Sequence, residues 1–140
     1  MKRTMHRLAL GLAALLMLSL LSGCRGTPLP DEMDEEELLS AGQEVVELLV
    51  AGEYQAVYDL FREDIRSTLT VEQIQALFQE VLEEAGALEG LDDSRVQGST
   101  EGEPHGIAEL YYDFAHDTVR FRVAFDLELQ LIGVDAPRVL

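Results

Sequence analysis

The 140-residue chain sets 27 Asp and Glu against 10 Lys and Arg, a formal charge of −17, with 47% hydrophobic residues and a single cysteine. That balance lacks the basic footprint that nucleic acid demands, and it disfavours charge-driven docking on anionic lipid headgroups. The length suits one domain with a short extension, and one cysteine cannot close an internal disulfide.

The chain opens with Lys2, Arg3 and Arg7 and no acid, followed by an apolar run from Leu8 to Leu21 broken only by Gly11 and Ser19. A spanning helix needs about 20 apolar residues, so this run is too short to cross a bilayer well. A basic start, a short apolar run and small residues behind it describe a secretory signal peptide. Leu21-Ser22-Gly23-Cys24 then resembles the lipobox of bacterial lipoproteins. That resemblance implies cleavage between Gly23 and Cys24, with a diacylglyceryl group on the Cys24 sulfur carrying palmitate-type chains. Residues 1–23 are therefore read as a lipoprotein signal peptide. An exported chain would otherwise carry an exposed free thiol, and lipidation removes it. Two acyl chains anchor stably, at about 0.8 kcal/mol per buried methylene. The expected location is the extracytoplasmic face of the cell membrane, with the membrane as a partner through the lipid.

The leader removes Lys2, Arg3 and Arg7, so seven arginines and no lysine then face all 27 acids, a formal charge of −20. Solubility and self-repulsion account for such an excess; a cation or a basic partner is the sharper alternative. Residues 24–37 continue from the cysteine into "RGTPLPDEMDEEE". Two prolines, a glycine and dense acids predict an extended tether that holds the domain off an anionic bilayer. Glu35 to Glu37 alternatively form the first turn of a helix, where acids suit the positive end of the dipole.

Three helices follow in a single domain read as 38–136. Leu38, Ala41, Val45, Leu48 and Leu49 recur at helical spacing up to Ala51, and Gly52 ends the run. Tyr54, Val57, Tyr58, Phe61 and Ile65 share the face of a second helix. Thr70-Val71-Glu72-Gln73 has the form of a capping box opening a third. Its stripe is Val71, Ile74, Leu77, Phe78, Val81 and Leu82, and it stops near Gly86.

Beyond Gly86 the period changes from helical to alternating. "GALEGLDDSRVQGST" holds a short or irregular strand, and Gly102, Pro104 and Gly106 mark a turn region. Ala108, Leu110, Tyr112 and Phe114 alternate with more polar neighbours, as do Val119, Phe121, Val123 and Phe125. Ala115-His116-Asp117 joins these two runs as a hairpin. Leu127, Leu129 and Leu131 either continue the last strand or, alternatively, Asp126 to Gln130 turns into a final strand over Leu131 to Val134. Helices segregated from strands argue for α+β, with the helical stripes packed on an antiparallel sheet.

"AGEYQAVYDLF", "LTVEQIQALFQEVLEEAGAL", "AELYYDFAHDTVRFRVAFD" and "LIGV" together resemble small bacterial lipoprotein domains of unknown function in the nuclear-transport-factor-two-like (cystatin-like) superfamily. The resemblance spans Leu38 to Val134. It implies N-terminal helices wrapped by a curved sheet into a cone that is often hollow, and it favours the turn at Asp126 to Gln130. This chain departs from many such sequences in lacking a tryptophan near the end of the third helix, where Phe78 stands.

A hollow cone makes Tyr58, Tyr112 and Phe121 candidate cavity or ligand contacts. Isomerases and dehydratases of the superfamily use a cavity Asp or His with tyrosine hydroxyls, which brings up Tyr111, Tyr112, Asp113, His105 and His116. Tyr112 and Asp113 point to opposite sides of a strand, and His116 falls in the hairpin turn. Asp92-Asp93-Ser94 and Glu101 to Glu103 offer oxygen ligands that could meet a hard cation but do not resemble a calcium loop, and Cys and His pairs at ligand spacing are lacking. Arg120 and Arg122 occupy the outer strand face, paired with acids or holding an anion. The expectation is a non-catalytic domain binding a small ligand or an envelope protein, with no catalytic residues, metal ligands or cofactor assigned. The alternative is an isomerase or dehydratase.

Overall fold

The computed structural model describes residues 26–137, so the expected signal peptide, the Gly23 cleavage point and Cys24 lie outside the described residues. The first helix, α1, spans Glu35–Val50. Asp34 caps it by accepting from the Glu37 N–H at 3.0 Å. Glu35, Glu36 and Glu37 fill the first turn, where the helix dipole favours acids. Leu38, Val45, Val46 and Leu49 bury one face.

The single helix expected from Tyr54 to Ile65 is broken in two. Helix α2 spans Tyr54–Leu60 and α3 spans Glu63–Arg66. Between them Phe61 is extended (φ −65°, ψ 142°) and buried. It bridges in parallel to Leu131, and the Arg62 N–H donates to the Leu131 carbonyl at 2.9 Å. Burying the Phe61 ring and pairing the last strand replace one turn of helix.

Helix α4, Val71–Ala85, starts with the expected capping box. The Gln73 N–H donates to the Thr70 hydroxyl oxygen at 3.2 Å, and the Thr70 N–H donates to the Gln73 side chain at 2.9 Å. Ile74, Phe78 and Ala85 are its buried residues. Leu77, read as part of the buried stripe, is 61% exposed. The contact face of this helix is narrower than its apolar periodicity.

Four strands form one open antiparallel sheet in the order β1 (Leu88–Ser99), β2 (His105–Phe114), β3 (Thr118–Asp126) and β4 (Leu131–Asp135). Strand β1 is longer than the short segment expected, and two register shifts near Gly90 and Asp93 account for its weak pattern. His105, within the turn region expected from Gly102, Pro104 and Gly106, begins β2. The turn reading holds after Asp126: Leu129 takes φ 59° and Leu127 is exposed. Ala108, Leu110, Tyr112 and Phe114 of β2, with Val119, Phe121, Val123 and Phe125 of β3, are all buried. The helices cover that face alone, which makes the molecule α+β.

One close approach sets the spacing of helix and sheet. A Cβ on Gly42 would lie 2.9 Å from the Ala108 methyl, so α1 sits directly on β2. Residues 27–33, inside the segment read as a tether, lie against the sheet. The Gly98 N–H donates to the Thr27 carbonyl at 2.8 Å. Leu29 and Met33 pack on the core, and any side chain at Gly98 would overlap the Pro28 carbonyl.

Candidate functional site

Three sets of residues deserve a functional reading: the aromatic interior, the Arg62 cluster, and a groove where α4 meets the start of β3. The interior follows from strand alternation, which turns Tyr112 and Phe121 inward from adjacent strands. Phe121 has no exposed surface. Its ring lies 6.5 Å from Phe78, near parallel, and 6.0 Å from Tyr112, edge on. These separations are ordinary aromatic packing. Phe121 and Tyr112, candidates for a cavity wall, therefore fill the space between α4 and the sheet. Tyr58 packs against the same core and donates its hydroxyl to the Arg66 carbonyl at 3.2 Å. Burial, with Glu47 nearby, pushes the Tyr112 hydroxyl above its ordinary value of 10.0; burial and Glu83 do the same to Tyr54.

The residues considered for proton transfer are engaged elsewhere. Asp113 accepts from the Thr118 hydroxyl at 2.7 Å. His105 Nδ1 lies 2.8 Å from the Glu103 carbonyl, and His116 Nδ1 lies 3.3 Å from the Glu84 carbonyl. Tyr111 points outward, its hydroxyl 3.4 Å from Glu109 and its ring 5.5 Å from the Arg95 guanidinium. Asp93 is taken up by the Ser94 N–H and by Arg95. Among the described residues no three His, Cys, Asp or Glu side chains are grouped to hold a metal ion.

Arg62 lies just after the break between α2 and α3. The break at Phe61 turns it toward three carboxylates. Its Nε and Nη2 hold Asp64 at 2.7 and 2.9 Å. Its Nη2 and Nη1 hold Glu103 at 2.6 and 2.9 Å, and Nη1 reaches Asp126 at 3.1 Å. All five guanidinium donors are thus occupied. Asp126 is 7% exposed and its other oxygen accepts from the Glu128 and Gln130 N–H groups at 3.0 and 2.9 Å. The hydrogen bonds from Arg62 hold Asp64 and Glu103 below the usual carboxylate range. The same bonds hold Arg62 far above its own ordinary value. Glu103 and Asp126 lie 41 and 64 residues away in sequence, so no local pattern announces this cluster.

The third set lines a groove of about 300 Å³ between the C-terminal end of α4 and the start of β3. Glu84, His116, Asp117 and Arg120 supply its polar wall, and Val81, Val119 and Pro137 its apolar one. Tyr58, Tyr112 and Phe121 are not part of it. Arg120 and Arg122, read as a pair on the outer strand face, differ in their surroundings. Arg122 holds Asp135 at 2.6 and 2.9 Å, and that bond raises it. Arg120 keeps its Nε buried without any hydrogen-bond partner.

No helix among the described residues is long and apolar enough to cross a membrane. The model of a family described as "Protein of unknown function (DUF3887)" matches residues 42–134. No curated protein matches the chain. The solved NMR structure of a protein from Ruminococcus gnavus ATCC 29149 superposes with a TM-score of 0.68 at 20% identity, covering 77% of this chain and 95% of that one. At that identity the likeness concerns the fold.

Proposed function

The chain belongs to the DUF3887 family, and from that premise we propose that it is a membrane-anchored extracytoplasmic lipoprotein with a non-catalytic binding domain. The domain takes a small ligand or another protein of the cell envelope, and its architecture is of the nuclear-transport-factor-two-like (cystatin-like) kind. Residues 1–23 are the signal peptide, Cys24 begins the mature chain, and 38–136 carry the domain. The observation that carries the anchor is the Leu21-Ser22-Gly23-Cys24 sequence behind a 14-residue apolar run. A family domain of helices on a four-stranded meander is consistent with the superfamily resemblance.

The ring packing of Phe78, Phe121 and Tyr112 favours binding on the surface of the domain. Phe78, Phe121 and Tyr112 occupy the volume that a hollow cone would leave free. An isomerase or dehydratase would need an inward Asp or His beside a tyrosine. Asp113, His105 and His116 instead bond Thr118, the Glu103 carbonyl and the Glu84 carbonyl.

The contact between Thr27 and Gly98 alters the expected role of the tether. Three peptide links separate Cys24 from Thr27, at most about 11 Å of chain. A lipid on Cys24 would therefore hold the end of β1 and the β1–β2 loop close to the headgroups. Cys24→Ser should move the protein from the membrane fraction to the soluble one, or leave the leader uncut. Mature protein with an unmodified thiol by mass spectrometry, retained on membranes equally in wild type and variant, would overturn the anchor.

A further inference from the structure

The groove at the end of α4 combines features that single-sign ligands cannot satisfy. Arg62, Arg95 and Arg122 each hold carboxylates in this acid-rich chain. Arg120 lines the groove, yet its Nε is buried with no partner. That Nε has almost no accessible surface, so a groove ligand meets the terminal Nη groups, and no hydrogen bond or ion pair among the described residues engages them. A guanidinium matches a carboxylate, two N–H groups to two oxygens.

The rest of the groove has the opposite sign. It lies at the C-terminal end of α4, where the Ala85 carbonyl already accepts from the His116 N–H at 2.9 Å and the Leu82 carbonyl from the Gly86 N–H at 3.2 Å, so the negative charge left to a ligand is that of side chains. Asp117 lines the same groove with Glu84, and the Asp117 carboxylate engages the Thr118 N–H through one oxygen only. A simple anion would meet Asp117; a simple cation would meet Arg120. A ligand bearing both charges is complementary to both ends. Val81, Val119 and Pro137 add an apolar wall for a side chain.

We infer that this groove binds a small zwitterion of the α-amino-acid type, its carboxylate on the Nη groups of Arg120 and its ammonium toward Asp117. The inference specifies the ligand half of the function proposed above and rests on it; the lipid anchor is independent and is tested by fractionation. The volume, about 300 Å³, is at the lower end of small-molecule sites and suits a single free amino acid.

The experiment is calorimetric and NMR titration of the full chain with L-leucine, glycine, acetate and methylamine. L-leucine should bind more tightly than glycine, because the apolar wall covers its side chain. Acetate and methylamine should each bind at least tenfold more weakly than L-leucine. The amides of His116, Thr118 and Arg120 should shift. Arg120→Gln should weaken L-leucine binding at least tenfold. Asp117→Asn, which can still accept from the Thr118 N–H, should do the same at an exposed turn where folding is not at stake. No amide shift with millimolar L-leucine overturns the inference, as does acetate binding as well as L-leucine or full affinity in Asp117→Asn.

Discussion

At the scale of single residues, Asp126 and Arg62 show how one buried carboxylate joins distant pieces of chain. Asp126 closes its own turn through two N–H groups and receives Arg62 from the helix break. Asp126→Ala removes an acceptor from three donors. Asp64 and Glu103 still hold Arg62, so the loss is set mainly by the turn amides, at about 2 kcal/mol. The midpoint of urea unfolding should fall accordingly. A second prediction concerns alkaline pH. Burial raises the Tyr112 hydroxyl above 10.0 in the folded chain. The unfolded chain therefore releases that proton first, and stability is full below pH 10 and declines above it. Urea midpoints at pH 8 and pH 10.5 should show this loss in wild type and a smaller one in Tyr112→Phe, Tyr54 supplying the remainder. Asp64 and Glu103 act in the opposite direction. Their folded values lie below 3.8 and 4.5, so their contribution is present above those values and is lost as pH falls through the lower, folded ones.

At the scale of elements, each helix is held by a different device. The Thr70 box fixes the start of α4, and Thr70→Ala should cost about 1 kcal/mol, measured by chemical denaturation. Helix α1 instead depends on the absence of a side chain. Gly42→Ala would press a methyl to 2.9 Å from Ala108, forcing α1 away from β2 at a cost of about 1–3 kcal/mol. Thermal unfolding midpoints should place this variant below wild type, although alanine is the better helix former. The sheet edges are also managed. Phe61 and Arg62 cover part of β4, and Thr27 covers the end of β1, whose other end is bent by register shifts. Such edges resist pairing with another chain.

At the scale of the whole molecule, the strap of residues 27–33 sets the orientation that a lipid on Cys24 would impose. Strand β2 runs from His105, beside the strap, to Phe114, beside the α4 groove. Ten residues of strand span about 30 Å. The groove should therefore open away from the bilayer, within reach of solutes. A spin label at Glu101→Cys on the anchored protein should relax strongly against nickel-chelating lipids, and one at Asp117→Cys weakly. Equal relaxation at both positions would contradict this orientation.

Much of the fold was legible because it depends on local periodicity. The alternation of β2 and β3, the Thr70 capping box and the acidic first turn of α1 are patterns of neighbouring residues, and they reappear in place. The break at Phe61 was not legible, since its cause is a strand edge at Leu131, seventy positions along the chain. Leu77 was misplaced because a helix of apolar period can be wider than the surface that covers it. For the candidate contacts, alternation turns Tyr112 and Phe121 inward, and only the three-dimensional structure sets Phe121 beside both Phe78 and Tyr112. By itself the sequence determined the class of fold, the acidity of the domain and the Leu21-Ser22-Gly23-Cys24 stretch from which the anchor is inferred. Tertiary structure alone decided which arginine is saturated and which is left with a bare buried N–H, because partners for a guanidinium are chosen by proximity in space.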